Sequence, residues 1–219
     1  MKDRNRIRGC LLGGAIGDAL GYPVEFLSRT AICSRFGADG IRDYVLRDGV
    51  AQISDDTQMT LFTANGLLFG KTRAMTRGIS APCQDYIFCS YQDWLKTQRS
   101  KYPADRDGRC SWLLNLPELY SRRAPGNTCL SAIGGGRPGS TEHAVNDSKG
   151  CGGVMRVAPI GAYFEPNAGF GRTEIALLGA EAAALTHGHP LGYIPAAGLS
   201  FLINSTLYDG DDDLARIVE

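Results

Sequence analysis

The sequence predicts an all-α fold, a compact multi-helix bundle forming a single domain. Three observations carry this prediction. Apolar residues recur at helical spacing in one run after another, alternating apolar and polar stretches are almost absent, and no internal repeat divides the chain. A chain of 219 residues is long enough to bury a substantial core.

The first run, RIRGCLLGGAIGDALGYP, predicts a helix ended by Gly21 and Pro23. At 100° per residue, Ile7, Leu11, Gly14 and Asp18 fall within about 60° of one another, placing Asp18 at the inner end of an apolar stripe. Gly9, Gly13, Gly17 and Gly21 form an adjacent stripe. Each costs a helix about 1 kcal/mol relative to alanine, so the stripe predicts the close approach of another helix backbone. Residues 35–53 read as loop, with a short extended piece at 44–46. After Ser54 the pattern is helical to about Phe69 and apolar nearly all round, which predicts a central buried helix. Residues 71–82 read as a polar connection, 83–99 as a helix, and 111–133 as one or two helices interrupted by APGN. GGGRPGSTEHAVNDSKGCGG is too rich in glycine for regular structure. Two helices close the pattern, at 173–186 and 190–207, separated by HGHP.

Composition narrows the function. Lys plus Arg and Asp plus Glu both number 23, so the net charge is zero, which argues against a nucleic-acid footprint or an electrostatic membrane surface. No apolar segment approaches the roughly 20 residues of a membrane span. The seven cysteines contain no C-x-x-C pair and no leader-like stretch precedes them. The expectation is a cytoplasmic protein with free thiols.

Four stretches could carry chemistry. SDDT (54–57) opens the central helix: Ser54 is a good N-cap, and Asp55 and Asp56 favour the helix dipole, so a well-capped helix is one reading. Asp55, however, shares a face with Met59, Phe62 and Gly66 and should point inward. A hydroxyl beside two carboxylates is also the oxygen set that hard divalent cations take. Glu25 follows the first helix by a tight turn and adds another carboxylate. In SKGCGGVMR (148–156), Gly150, Gly152 and Gly153 leave backbone N–H groups open to an anion, although the nucleotide-triphosphate loop pattern is not matched. Cys151 in that loop, with His187 and His189 downstream, raises a cysteine–histidine nucleophile, for which no local hydrolase signature exists. THGHP (186–190) separates two helices, and H-x-H lacks a third zinc ligand at suitable spacing.

GGAIGDALGYPVEF, SDDTQMT, SKGCGGVMRVAPIG and THGHP, in this order, resemble the ADP-ribosylglycohydrolase family, which includes the glycohydrolase that reactivates dinitrogenase reductase. The likeness runs over roughly residues 7 to 205. It implies an all-α fold of that type, a binuclear Mg²⁺ or Mn²⁺ centre, and metal-dependent hydrolysis of an N- or O-glycosidic ADP-ribose linkage on a protein side chain or small molecule. By position it implies Ser54, Asp55 and Asp56 as metal ligands, and Glu25 with Asp56 as the catalytic carboxylates. Gly150, Cys151, Gly152, Gly153 and His187 would bind substrate, with Asp93 as a substrate-side acid and Asp18 as a brace for the first helix. The implied partner is ADP-ribose or an ADP-ribosylated protein. The family's second metal-binding segment, G-D-x-D-T before a small-residue helix, is not matched by DGDDDLARIVE (209–219), which reads as a turn entering an aspartate-capped helix. The expectation is a domain over 1–219 lacking its C-terminal part, with half the metal site absent and with exposed apolar helix faces that favour self-association. A non-catalytic ADP-ribose binder or structural protein derived from the family is the rival reading.

Overall fold

A computed structural model describes residues 3–105, 108, 110–166 and 171–209. Residues 210–219, and with them the predicted turn and aspartate-capped helix, lie outside the described part.

Among the described residues the architecture is helical. Helix α1 spans Arg4–Gly21, its first turn capped by the Asp3 carboxylate, which accepts from the N–H groups of Asn5 and Arg6. A 3₁₀ turn at Tyr22–Val24 leads to α2, Arg29–Phe36, capped by Ser28. The extended piece predicted at 44–46 is a hairpin of two-residue strands, β1 (Leu46–Arg47) and β2 (Val50–Ala51). Helix α3, Asp55–Arg77, packs along α4, Cys83–Arg99. After 3₁₀ turns at Trp112–Asn115 and Pro117–Leu119 come α5, Asn127–Gly134, and a long irregular stretch. A further 3₁₀ turn at Val154–Arg156 precedes α6 (Ala158–Tyr163), α7 (Arg172–Ala184) and α8 (Pro190–Asp209). No described helix is long and apolar enough to cross a membrane.

The core lies between α3 and α4 and under α5 to α7. Met59 and Phe62 share one buried cluster with Ile87, Tyr91 and Trp94 of α4 and with Ile133, Ile160 and Ile175. Polar groups of α3 and α4 pair inside it: Trp94 Nε1 donates to Gln58 Oε1 at 3.1 Å, and Gln58 Nε2 donates to the Ser121 carbonyl at 3.0 Å.

Four expectations change. Helix α3 runs on through the polar residues 71–77, because KTRAMTR consists mostly of good helix formers on a solvated surface. It stops at Gly78, whose φ of 64° supplies a left-handed cap. The α3 helix is also one-sided rather than apolar all round in its burial, since Leu68 is exposed. The glycine stripe of α1 has no helix against it: a Cβ built on Gly9, Gly13, Gly17 or Gly21 would meet nothing within 4 Å. The close approach belongs to α3 and α4, where a Cβ on Gly66 would lie 2.7 Å from the Ile87 Cα. Finally, the thiols are not all free. Cys89 of α4 is disulfide-bonded to Cys110, whereas Cys10, Cys33, Cys83, Cys129 and Cys151 are free.

Candidate functional site

The N-terminus of α3 is held from two directions. Ser54 Oγ accepts from the Asp56 N–H at 3.1 Å, as an N-cap does. Asp18, reaching across from α1, accepts from the Ser54 N–H at 2.9 Å, from the Thr57 N–H at 3.2 Å and from the Thr57 hydroxyl. Asp18 thus satisfies amides that the start of a helix leaves open, and ties α1 to α3. It braces the site in the way the resemblance implies.

Asp55 turns inward, as its helical face predicts, and is 4% exposed. Its Oδ2 accepts from the Gly126 N–H at 3.4 Å, at the N-terminus of α5, whose dipole favours a negative charge. Burial, and then the neighbouring Asp56, push its carboxyl up to about 7. Asp56 is raised by burial first and Asp18 second; Glu25 is raised by desolvation, then by Asp56 and Asp18. Four carboxylates therefore crowd one region, and none of them has an ion-pair partner among the described residues.

Glu25, Asp18, Ser54, Asp56, Thr57 and Cys151 line a single groove of about 510 Å³, walled on one side by the glycine-rich face of α1 and on the other by Met155 and Ala158. That size falls in the range of about 300–1,000 Å³ typical of small-molecule sites. The bare backbone of Gly14, Gly17 and Gly21 forms part of this wall. Gly17 and Gly21, the C-terminal half of the stripe read as a helix contact, are in fact the side of a cleft.

Cys151 brings the glycine loop to the groove. The N–H groups of Cys151, Gly152 and Gly153 donate to no described residue. Beneath the loop lies a buried polar layer. A Cβ on Gly152 would sit 2.8 Å from His187 Cε1 and 2.9 Å from Cys129 Sγ, and one on Gly153 would sit 2.7 Å from the Gly192 carbonyl oxygen. These two glycines are required by packing. His187 is 2% exposed, and its imidazole is pushed down to about 4 by burial and then by Arg156, so it is neutral. Its Nδ1 lies 2.8 Å from the Thr186 hydroxyl. Arg156 is fully buried, donates to Thr186 Oγ1 at 2.7 Å and to the Ala182 carbonyl at 3.0 Å, and lies 4.5 Å over the Tyr91 ring.

The structure thus brings Glu25, Ser54, Asp56 and Cys151 into one groove, with Asp55 behind them and with Gly150, Gly152, Gly153 and His187 in and beneath the adjoining loop. It does not bring Asp93 there. That side chain is 1% exposed, accepts from the N–H groups of Cys110 and Ser111 at 2.7 and 2.9 Å, and pairs with Lys96 at 2.9 Å. Its carboxylate is saturated by a loop it anchors. Sequence reasoning missed Arg156, Thr186 and Cys129. Arg156 stands inside the quoted VMR, where an arginine beside a loop reads as solvated, and nothing local marks it as buried.

The crowded carboxylates are hard oxygen donors lacking a counter-charge, the chemistry a divalent cation answers. Among the described residues no three His, Cys, Asp or Glu side chains converge closely enough to hold a metal by themselves, so hydroxyl, carbonyl or ligand oxygens would have to complete any such site.

Comparison with known proteins gives one match. No curated protein and no solved structure matches the chain. The family model described as ADP-ribosylglycohydrolase matches residues 1–219, the full length of the sequence, and the helical architecture agrees with it. The chain belongs to the ADP-ribosylglycohydrolase family.

Proposed function

We propose that the protein hydrolyses an N- or O-glycosidic ADP-ribose linkage on a protein side chain or small molecule, with the groove between α1 and α3 as its active site. The observation that carries this reading is the pairing of unneutralised carboxylates along the groove with Cys151, which lines it and whose N–H, like that of Gly152 beside it, has no partner among the described residues. The amides of Cys151 and Gly152 suit the diphosphate of ADP-ribose, which needs no basic patch when backbone N–H groups face it. This agrees with a chain of zero net charge.

Glu25 stands at the groove with its proton affinity raised, and can take a proton from an attacking water. The water oxygen then bonds to the anomeric carbon, the glycosidic bond breaks, and the leaving nitrogen or oxygen takes up a proton. Asp56 faces the same space and can orient the ribose hydroxyls or the water. Ser54, Asp55 and Asp56 would hold a Mg²⁺ or Mn²⁺ ion, which supplies charge stabilisation and polarisation of ribose oxygens. Asp93 has no part in this reading.

A second reading is ADP-ribose binding without hydrolysis. It is favoured by the absence, among the described residues, of three converging acidic, histidine or cysteine ligands. Calorimetric titration of the full chain with ADP-ribose, with and without Mn²⁺, separates the two when combined with a hydrolysis assay on ADP-ribosyl-arginine and ADP-ribosyl-serine peptides. Metal-dependent turnover that falls by about 100-fold or more in Glu25→Gln and Asp56→Asn supports hydrolysis. Metal-independent binding without turnover supports the second reading, and unchanged turnover in both variants overturns the assigned roles.

A further inference from the structure

We propose that Arg156 and Thr186 are positioning residues for His187, holding its imidazole in the tautomer that carries the proton on Nε2 and aiming that N–H at residues 150–152 of the glycine loop. The proton order follows from what each group can do. Arginine has five N–H donors and no acceptor, so at 2.7 Å from Arg156 Nη2 the Thr186 oxygen must accept. Its single O–H is then free to donate, and His187 Nδ1 lies 2.8 Å away. The competing acceptor is the Cys129 sulfur, a weak acceptor that already receives Arg156 Nη1 at 3.6 Å. Nδ1 therefore accepts, and in a neutral ring the remaining proton sits on Nε2.

The surroundings fix this arrangement. Arg156 is fully buried and has no carboxylate partner among the described residues. Its two terminal nitrogens instead donate to Thr186, the Ala182 carbonyl, Cys129 and Met59, with Tyr91 beneath the guanidinium. Moving either terminal nitrogen would leave more donors unmet beside the already unpaired Nε, so the guanidinium is held where it is. On the far side of the ring, His187 Nε2 has no hydrogen-bond partner among the described residues. It lies 3.6 Å from where a Cβ on Gly150 would stand and 3.0 Å from one on Gly152. Only glycine leaves that edge of the imidazole uncovered by a side chain. The Nε2–H thus adds a donor beside the unpartnered amides of Cys151 and Gly152. That these donors meet a diphosphate or ribose oxygen rests on the function proposed above; the order of protons in the relay does not.

The test is a ¹⁵N-edited proton correlation through the imidazole rings of the full chain at neutral pH. The chain has three histidines, and His187→Gln assigns the relevant signals by their loss. His189, whose Nδ1 accepts from the Leu191 N–H at 3.0 Å, is an internal reference for the Nε2–H pattern. The expected result is an Nε2–H pattern for His187 in the wild type, a mixture of tautomers in Thr186→Val, and the wild-type pattern again in Thr186→Ser. Loss of one aligned donor also weakens ADP-ribose binding about 2- to 12-fold in Thr186→Val, with recovery in Thr186→Ser. An Nδ1–H pattern in the wild type, or an unchanged Nε2–H pattern in Thr186→Val, overturns the proposal without requiring any variant of Arg156 to fold. If the spectra behave as expected but ADP-ribose does not bind the wild type, the relay stands and the functional reading fails.

Discussion

Asp55 and His187 are buried groups whose proton affinities move in opposite senses. Asp55 rises from 3.8 to about 7, so between those values the folded protein binds a proton that the unfolded chain has released. Its contribution to stability therefore falls as pH rises through that window, and stays low above it. His187 is lowered from 6.5 to about 4, so the unfolded chain binds the extra proton, and stability from this group rises with pH between about 4 and 6.5. In metal-free buffer Asp55→Asn is therefore more resistant to urea than the wild type at pH 8, and the advantage shrinks as pH falls from 7 towards 4. Midpoints measured at pH 8 and pH 5 check this; an equal or lower midpoint for the variant at pH 8 would show that the carboxylate is already compensated. At this scale much was legible. The inward turn of Asp55 followed from its spacing to Met59 and Phe62, because helical geometry alone decides it. The burial of Arg156 was not legible, because its partners, Thr186, Ala182, Cys129 and Tyr91, come from three other parts of the chain.

Among the helices, glycines divide by what lies against them. Gly66 lets α3 sit on α4, its missing Cβ facing the Ile87 backbone at 2.7 Å. Gly13 faces nothing within 4 Å and is not part of the groove wall. Gly66→Ala should destabilise the protein by about 1–3 kcal/mol through overpacking of backbone on backbone. Gly13→Ala should stabilise α1 by about 0.5–1 kcal/mol and leave ADP-ribose binding unchanged. Urea denaturation of both variants decides it, and a destabilised Gly13→Ala would mean that an unseen surface covers this face. The sequence reading placed the close contact on α1 because four glycines at regular spacing are conspicuous, whereas one glycine in TANGLL is not. Periodicity reports which residues share a face, and only the tertiary arrangement says what that face meets. Helices α4, α7 and α8 were legible nearly to the residue, since proline, glycine and the HGHP break mark their ends. Helices α2 and α6 were not, being six to eight residues of weak pattern.

For the whole molecule, the sequence carried the class of fold and several residues of the candidate groove, because short motifs hold them within a few positions of one another. What it could not carry was the join between motifs: that the SDDT turn and the loop after Ser148 share one groove, that Asp93 is drawn away to anchor Cys110 and Ser111, and that Cys89 bonds to Cys110. The groove itself is built from unequal partners. Only Ala19 of α1 is buried, whereas α3 and α4 bury residues along much of their length. One wall of the cleft therefore belongs to a part of the molecule with little to lose by opening, and its amides should exchange with solvent deuterium through small local excursions rather than global unfolding. A ligand spanning both walls should then slow exchange in α1 far more than in α4, whose buried amides should open only with global unfolding. Mass-spectrometric exchange with and without ADP-ribose measures this directly, and equal slowing in the two helices would mean that α1 is as firmly set as the core it borders.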